Sequence, residues 1–309
     1  MLDLPGLQMR ATLLRLIRSF FYERHFLEVD TPLRQPVLIP ESTIVPLTAA
    51  GQYLQTSPEL CMKRLLARGC SKLFQICPCF RKEEVGRLHL EEFTMLEWYR
   101  TGADYLTLMS DCEALLRFIV ANMKSVDLPD PGNYQKKLLS KTDIESEWQR
   151  LSVAEAFGLF SPVPMAEALA KGSFDELLVE FIEPHLGVGV PTFLYDYPVE
   201  LASLAKCRIE NPEVAERFEL YINGVELANG FSELTDSTEQ RRRFGHEIVI
   251  MEECGRNGVE MPERFLDDLQ KLDLAAGIAL GVDRLFMLLM EYDSLSKSVT
   301  FHPCDFSAL

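Results

Sequence analysis

Arg81 and Glu83 stand two residues apart where an alternating apolar run over 73–80 gives way to charged residues. His89 closes that charged stretch before a second apolar and aromatic run over 93–99. The pattern is strand, loop, strand. A guanidinium is a planar cationic fork for a phosphate or carboxylate, and a carboxylate beside it accepts from an amine. Such a pair can hold a nucleotide; a plain solvated hairpin loop is the competing reading.

Three more groups carry chemistry. The stretch 217–233, RFELYINGVELANGFSE, contains Asn223-Gly224, a strong signal for a two-residue hairpin turn. With that turn Tyr221 opposes Glu226, so Glu219 shares a face with Glu226 as its diagonal neighbour. Diagonal positions lie roughly 7–8 Å apart, close enough for two carboxylates to converge on one hard cation. Solvated strand acids would leave the same pattern. In 277–285, GIALGVDRL, a strand of small residues feeds a helix through Asp283-Arg284, which lets a ligand approach the backbone closely. Ser57-Pro58-Glu59 opens a helix, with Ser57 as N-cap and Pro58 in the first helical position, and Glu59 there suits the helix dipole.

The elements that must position these groups follow from periodicity. Leu7, Leu14, Ile17 and Phe21 make 7–25 an amphipathic helix, and 26–33 is extended, with Pro32 restricting it to a sheet edge. Leu108, Leu115, Phe118 and Ile119 stripe a helix over 104–124. Pro129, Pro131 and Gly132 mark 125–150 as a linker. Ser152-x-x-Glu155 and Ser173-x-x-Glu176 look like capping boxes in a small helical insertion around 151–185, after which 192–197 returns to a strand. Asp236 caps a helix running to about Gly255, and Pro262 starts another.

A chain of 309 residues, 47% apolar, can bury a large core, and one catalytic domain over 1–309 is expected. The formal charge of -16 disfavours a sequence-independent grip on a phosphate backbone and makes tRNA an unlikely partner. No apolar run reaches the length of a membrane span and no secretory signal opens the chain, so a cytoplasmic enzyme is expected. Eight cysteines without a C-x-x-C pair read as reduced thiols, and five histidines show no ligand spacing, so any metal is expected on carboxylates.

Together, Arg81-x-Glu83, His89, Glu92-Phe93-Thr94 and Glu97-x-Tyr99 resemble motif 2 of class II aminoacyl-tRNA synthetases, closest to the lysyl branch, although Leu90-Glu91 replaces its usual Asn-Pro. The resemblance implies that Arg81 contacts the α-phosphate and the substrate carboxylate. It further implies that Glu83 reads the adenine amine, Phe93 stacks on the adenine and His89 sits near the far phosphates. The segment 26–33 is similar to motif 1, which implies a homodimer, and GIALGVDRL is similar to motif 3, which gives Arg284 the γ-phosphate. By the same likeness Glu219 and Glu226 hold Mg2+ on ATP, and Asn229 helps Arg81 with the carboxylate. Glu59 takes the amino group, while Glu97, Tyr99 and Glu233 form the far end for an ε-ammonium. Arg81 and Arg284 then act as the catalytic pair.

Ala279 in place of the usual glycine, with Ser57 in place of the usual alanine, resembles the truncated lysyl-tRNA synthetase paralogues that attach (R)-β-lysine to elongation factor P. The implied fold is an α+β class II core, an antiparallel sheet of six to seven strands flanked by helices, without an anticodon-binding domain. ATP and Mg2+ are the implied cofactors, lysine or (R)-β-lysine the substrate and elongation factor P the acceptor. Two other readings stay open: a minimal synthetase or free amino-acid ligase, and a non-catalytic regulatory paralogue. The last should have lost phosphate or metal ligands, and those residue types are all present.

Overall fold

Asp3 accepts a hydrogen bond from the Gly6 N–H at 2.8 Å and Pro5 lies in the first turn, so helix α1 (Leu4–Glu23) starts earlier than its apolar stripe suggests. This is a computed structural model, and it describes residues 1–125 and 138–306. Pro129, Pro131 and Gly132 of the expected linker lie outside them. The buried face of α1 is Met9, Leu13, Ile17, Phe20 and Phe21, while Leu7 and Leu14 are only partly buried. Spacings of three and four residues put the longer side chains of that row directly on the sheet.

Short strands β1 (Leu27–Glu28), β2 (Arg34–Gln35), β3 (Thr48–Ala49) and β4 (Gln52–Leu54) precede helix α2 (Glu59–Leu66). The long hairpin β5 (Lys72–Phe80) and β6 (Glu92–Thr101) leads into α3 (Tyr105–Met123), capped by Asp104. Then come β7 (Gln149–Ser152), α4 (Val153–Phe160), α5 (Met165–Lys171), α6 (Phe174–Leu177) and β8 (Thr192–Pro198). The hairpin β9 (Val214–Ile222) and β10 (Val225–Ser232), helices α7 (Ser237–Glu253) and α8 (Glu263–Leu269), strand β11 (Ala275–Gly281) and α9 (Val282–Leu289) complete the order.

Eight of these strands form one sheet in the order β1-β5-β6-β11-β10-β9-β8-β7, while β2, β4 and β3 make a small second sheet. The large sheet is antiparallel except at its edges, where β1 pairs parallel with β5 and β7 parallel with β8. The expected antiparallel class holds, with one more strand than expected. That strand is β7, which the sequence places partly in the linker; four residues give too short a pattern to read, and pairing with β8 supplies the order. Ser152 and Glu155 form the expected capping box, but Ser173 makes no side-chain cap bond, because its helix is only four residues long before the chain rewinds.

Alternation on β6 decides what each face does. Leu96 and Trp98 point into the core shared with α1 and α3, whereas Met95, Glu97 and Tyr99 point to the opposite face. Behind that second face lie α2 and α8, through Leu60, Leu66, Phe265 and Leu269. Phe21 fixes α1 to the sheet: its ring stacks on Phe74 at 4.7 Å, meets Phe26 edge-on at 5.1 Å and tilts against Trp98 at 5.3 Å. Among the described residues no helix is long and apolar enough to cross a membrane.

Replacing Phe21 with alanine is expected to cost about 3–5 kcal/mol. Urea denaturation should show this as a lower midpoint with an unchanged slope, and an unmoved midpoint would refute the anchoring role.

Candidate active site

Pairing across the sheet puts five positions in one row: Gln75, Glu97, Ala279, Asn229 and Glu219. Cross-strand partners share a face, so the middle of this row, Glu97, Ala279 and Asn229, and the next row, through Tyr99 and Gly277, form the floor of a cavity of about 260 Å³. Small residues on β11 make the space. A Cβ on Gly277 would lie 2.1 Å from the Tyr99 ring and 2.6 Å from Glu233 Oε1, so only glycine fits there.

The hairpin turn behaves as its sequence suggests, with Val225 opposite Ile222 and Glu226 opposite Tyr221. A bulge between Glu226 and Ala228 then shifts the register, so Glu219 faces Asn229. Nothing in the alternation of 225–232 announces that extra residue.

One end of the cavity is acidic. Glu97 is 1% exposed; its carboxylate accepts from the Ser57 hydroxyl and the Tyr99 hydroxyl, each at 2.7 Å. Ser57 Oγ also accepts from the Glu59 N–H at 3.0 Å, so Ser57 satisfies the start of α2, whose first residue is Glu59 rather than Pro58. Burial, reinforced by the charge of Glu59, pushes the Glu97 carboxyl up to about 8.

Lys63, which sequence reading passed over as an ordinary helical residue, supplies the missing cation. It is 2% exposed, with its Nζ 2.5 Å from Glu233 Oε2 and in contact with Glu59 one turn back. Burial pulls the Lys63 ammonium down, but Glu233 and then Glu59 outweigh that and keep it charged. The available signal was its four-residue spacing from Glu59 on one helix face. Glu233, itself 1% exposed, lies directly behind Gly277 of the floor with Lys63 as its cation.

The other end is built for anions. Arg81 lies over the Phe93 ring at 5.3 Å and its Nε donates to the Thr56 carbonyl at 3.4 Å. Arg284, at the start of α9, donates to the Glu226 carbonyl at 2.8 Å and pairs with its carboxylate at 3.2 Å. Its second amino group meets His89 Nε2 at 2.8 Å. Burial, then the Arg284 charge, lowers the His89 pKa, which suits a neutral ring accepting from Arg284. Asp283 is structural: it accepts from the Thr94 N–H at 2.7 Å and from Arg10 at 2.5 Å, tying α9 to β6 and α1.

Ser57, Glu59, Arg81, His89, Phe93, Glu97, Tyr99, Glu226, Asn229, Ala279 and Arg284 thus border one cavity. Glu83 and Glu219 lie outside its lining. Glu83 is turned away: its φ of 70°, with its N–H held by Glu91 at 2.8 Å, sends the side chain to solvent, where it pairs with Lys82 at 3.2 Å. Glu84 borders the cavity instead, 3.6 Å from Arg81.

Glu219 is not available to a metal. Its Oε2 accepts from Tyr197 at 2.6 Å and Tyr221 at 2.7 Å, and its Oε1 from Arg217 at 2.8 Å and Asn229 at 3.3 Å. Four donors fill the acceptor sites of that carboxylate, and Glu226 is paired with Arg284, so the residues as arranged do not fit a resident Mg2+. Among the described residues no three metal-ligating side chains come together.

The buried Glu97 makes a testable prediction. Its pKa of about 8 lies above the usual 4.5, so the stability it contributes is present below about pH 4.5 and lost as pH rises through 8 in the empty protein. Near pH 7 Glu97 is largely protonated, and an ammonium entering the pocket must drive the proton off. Calorimetry at pH 7 in buffers of different ionisation enthalpy should show proton release on binding a diamino acid, reduced by Glu97→Gln. Binding without proton release would contradict this site.

Over residues 5–304 the sequence matches the family tRNA synthetases class II (D, K and N). The elongation factor P–(R)-beta-lysine ligases of Salmonella typhi and Salmonella gallinarum are each 38% identical to it over 313 residues, which takes in 97% of this chain and 95% of each relative. A match across nearly the whole length, on top of a mostly antiparallel sheet carrying Arg81 and Arg284 over one cavity, places the chain in that family: it belongs to the class II tRNA synthetases (D, K and N).

Proposed function

We propose that this protein joins (R)-β-lysine, or lysine, to ATP as an aminoacyl-adenylate and transfers the aminoacyl group to a lysine side chain of elongation factor P. As a family member it is an ATP-dependent ligase, and its relatives carry the name of that reaction. The observation that carries the substrate assignment is the charge at the acidic end. Glu59, Glu97 and Glu233 share a single internal ammonium, Lys63, and burial raises Glu97 and Glu233 to about 8, so this end ionises fully only when a ligand brings positive charge. A buried carboxylate without a cation is costly, so an acidic pocket selects a diamino acid over a neutral side chain.

In this reading the substrate carboxylate lies towards Arg81 and Asn229, and one carboxylate oxygen attacks the α-phosphorus of ATP. A P–O bond forms, the bond to the β-phosphate breaks and pyrophosphate leaves with its electron pair. Arg81 and Arg284 neutralise and align anions, Phe93 offers a face to the adenine, and no covalent protein nucleophile is required. Glu226 lines the cavity with its carboxylate on Arg284, so it would meet a cation carried in on the triphosphate only after Arg284 moves to the phosphates. The Ala279 methyl, between Glu97 and Asn229 in the floor, shapes the space for a displaced amino group. A homodimer through the motif 1 edge is supported by the exposure of Leu27 (55%) and Leu33 (40%) beside Pro32.

Pyrophosphate exchange with α-lysine and (R)-β-lysine, mass spectrometry of elongation factor P and tRNA charging together test the reading. Exchange favouring β-lysine with a mass gain on the protein is expected; charged tRNA without that gain would replace it with a synthetase. Arg81→Ala should lower exchange by about 10²–10³-fold or more, and normal exchange in that variant would sink the assignment.

A further inference from the structure

A second cavity, of about 430 Å³, lies beside the first, between the 36–48 segment and the end of α7. Glu41 borders both. Thr56 and Lys82 also line the second space, and they flank the first one closely: the Thr56 carbonyl accepts from Arg81, and Lys82 follows Arg81 in the chain.

The covering segment is held in place rather than draped. Arg256 donates to the Ile44 carbonyl at 2.8 Å and to the Ser42 carbonyl, the Ser42 N–H donates to Glu247 at 2.7 Å, and the Lys82 N–H donates to the Val45 carbonyl at 2.8 Å. Those contacts turn the Arg256 guanidinium onto carbonyls of the covering segment, Lys82 is paired with Glu83, and Glu41 and Glu260 supply negative charge to the lining. Walls of Val37, Ile39, Ile44, Leu47 and Val259 are aliphatic. At the inner end stands Glu41, whose carboxylate has no hydrogen bond or ion pair among the described residues.

We propose that this second cavity is the entry port for the acceptor lysine, with its methylenes along the aliphatic wall and its ammonium delivered to Glu41 at the junction with the adenylate site. The inference rests on the function proposed above and names where its second step happens. The acidic end of the first cavity is closed by Glu97, Tyr99 and Gly277, and its other end is taken up by the anion-binding Arg284 and His89, so the side at Glu41 and Thr56 is the one left for an acceptor. An aliphatic stem ending in a cation is the complement of an aliphatic channel ending in a carboxylate.

The step balances. Glu41 takes one proton from the ammonium, and the neutral amine attacks the adenylate carbonyl. The new N–C bond forms as the C–O bond to the phosphate breaks, AMP leaves with the electron pair, and the second amine proton passes to solvent. Burial first, then Glu59, raises the Glu41 carboxyl to about 7, against the charges of Arg81 and Lys63 and with that of Glu247, which suits a group that takes up a proton near neutrality.

Glu41→Gln and the port-blocking Val259→Trp test this on the intact protein, with (R)-β-lysine, ATP and elongation factor P. Val259→Trp should keep pyrophosphate exchange within about threefold of the parent, which also reports correct folding, and both variants should lose aminoacyl transfer to the protein by about tenfold to a hundredfold or more. Hydroxylamine, small enough to reach the adenylate without the channel, should discharge it at the parent rate in Val259→Trp. Undiminished transfer in both variants would overturn the port, as would exchange and transfer falling together in Val259→Trp. If the parent protein itself neither exchanges with a diamino acid nor modifies elongation factor P, the proposed function fails first and the port with it.

Discussion

Three carboxylates placed within a buried pocket around one ammonium govern this molecule. Glu59, Glu97 and Glu233 cannot all be ionised and dry without compensation. Lys63 supplies one positive charge from the next turn of α2, and Ser57 and Tyr99 each donate to Glu97. Burial raises both Glu97 and Glu233 to about 8, so protons hold what Lys63 leaves uncompensated until a ligand cation replaces them. These groups keep a defined electrostatic arrangement, and the rest of the fold must be stiff enough not to relax it.

That stiffness comes from the two faces of β6. On one, Trp98 and Leu96 are fully buried against α1 and α3; on the other, Glu97 and Tyr99 face the cavity. The aromatic group of Phe21, Phe74 and Trp98 fixes the strand on its apolar side, so the acids opposite cannot swing out to water without breaking the core. Gly277 and Ala279 on β11 then determine how much room the neighbouring strand leaves. Side-chain volume on one strand and charge on the next are thereby two settings of the same pocket.

Much of this was legible in the sequence because it was local. The β5–β6 hairpin, the Asn223-Gly224 turn and the GIALGVDRL strand-to-helix passage each carry their geometry in consecutive residues, and the family likeness assigned chemistry to them. What escaped depended on distant partners or single-residue irregularities. Lys63 looks like surface charge until Glu233, far along the chain, closes over it. The bulge after Glu226 shifts Glu219 by one position, and Tyr197 from a third strand helps to fill its carboxylate. Glu83 and Glu84 are indistinguishable in composition; a left-handed turn at Glu83 decides which of them meets Arg81.

The anion end follows the logic of the acidic end with signs reversed. Arg284 is engaged by the Glu226 carboxylate, the Glu226 carbonyl and His89, each standing where a triphosphate oxygen would compete for it. A polyanion that takes Arg284 releases the Glu226 carboxylate into the cavity, where it can face whatever cation accompanies the phosphates. A diamino acid that takes Glu97 displaces a proton in the same way. At both ends the protein's own groups hold the site charges until substrate exchanges with them, so arrival of either ligand rearranges partners without opening a buried charge to solvent.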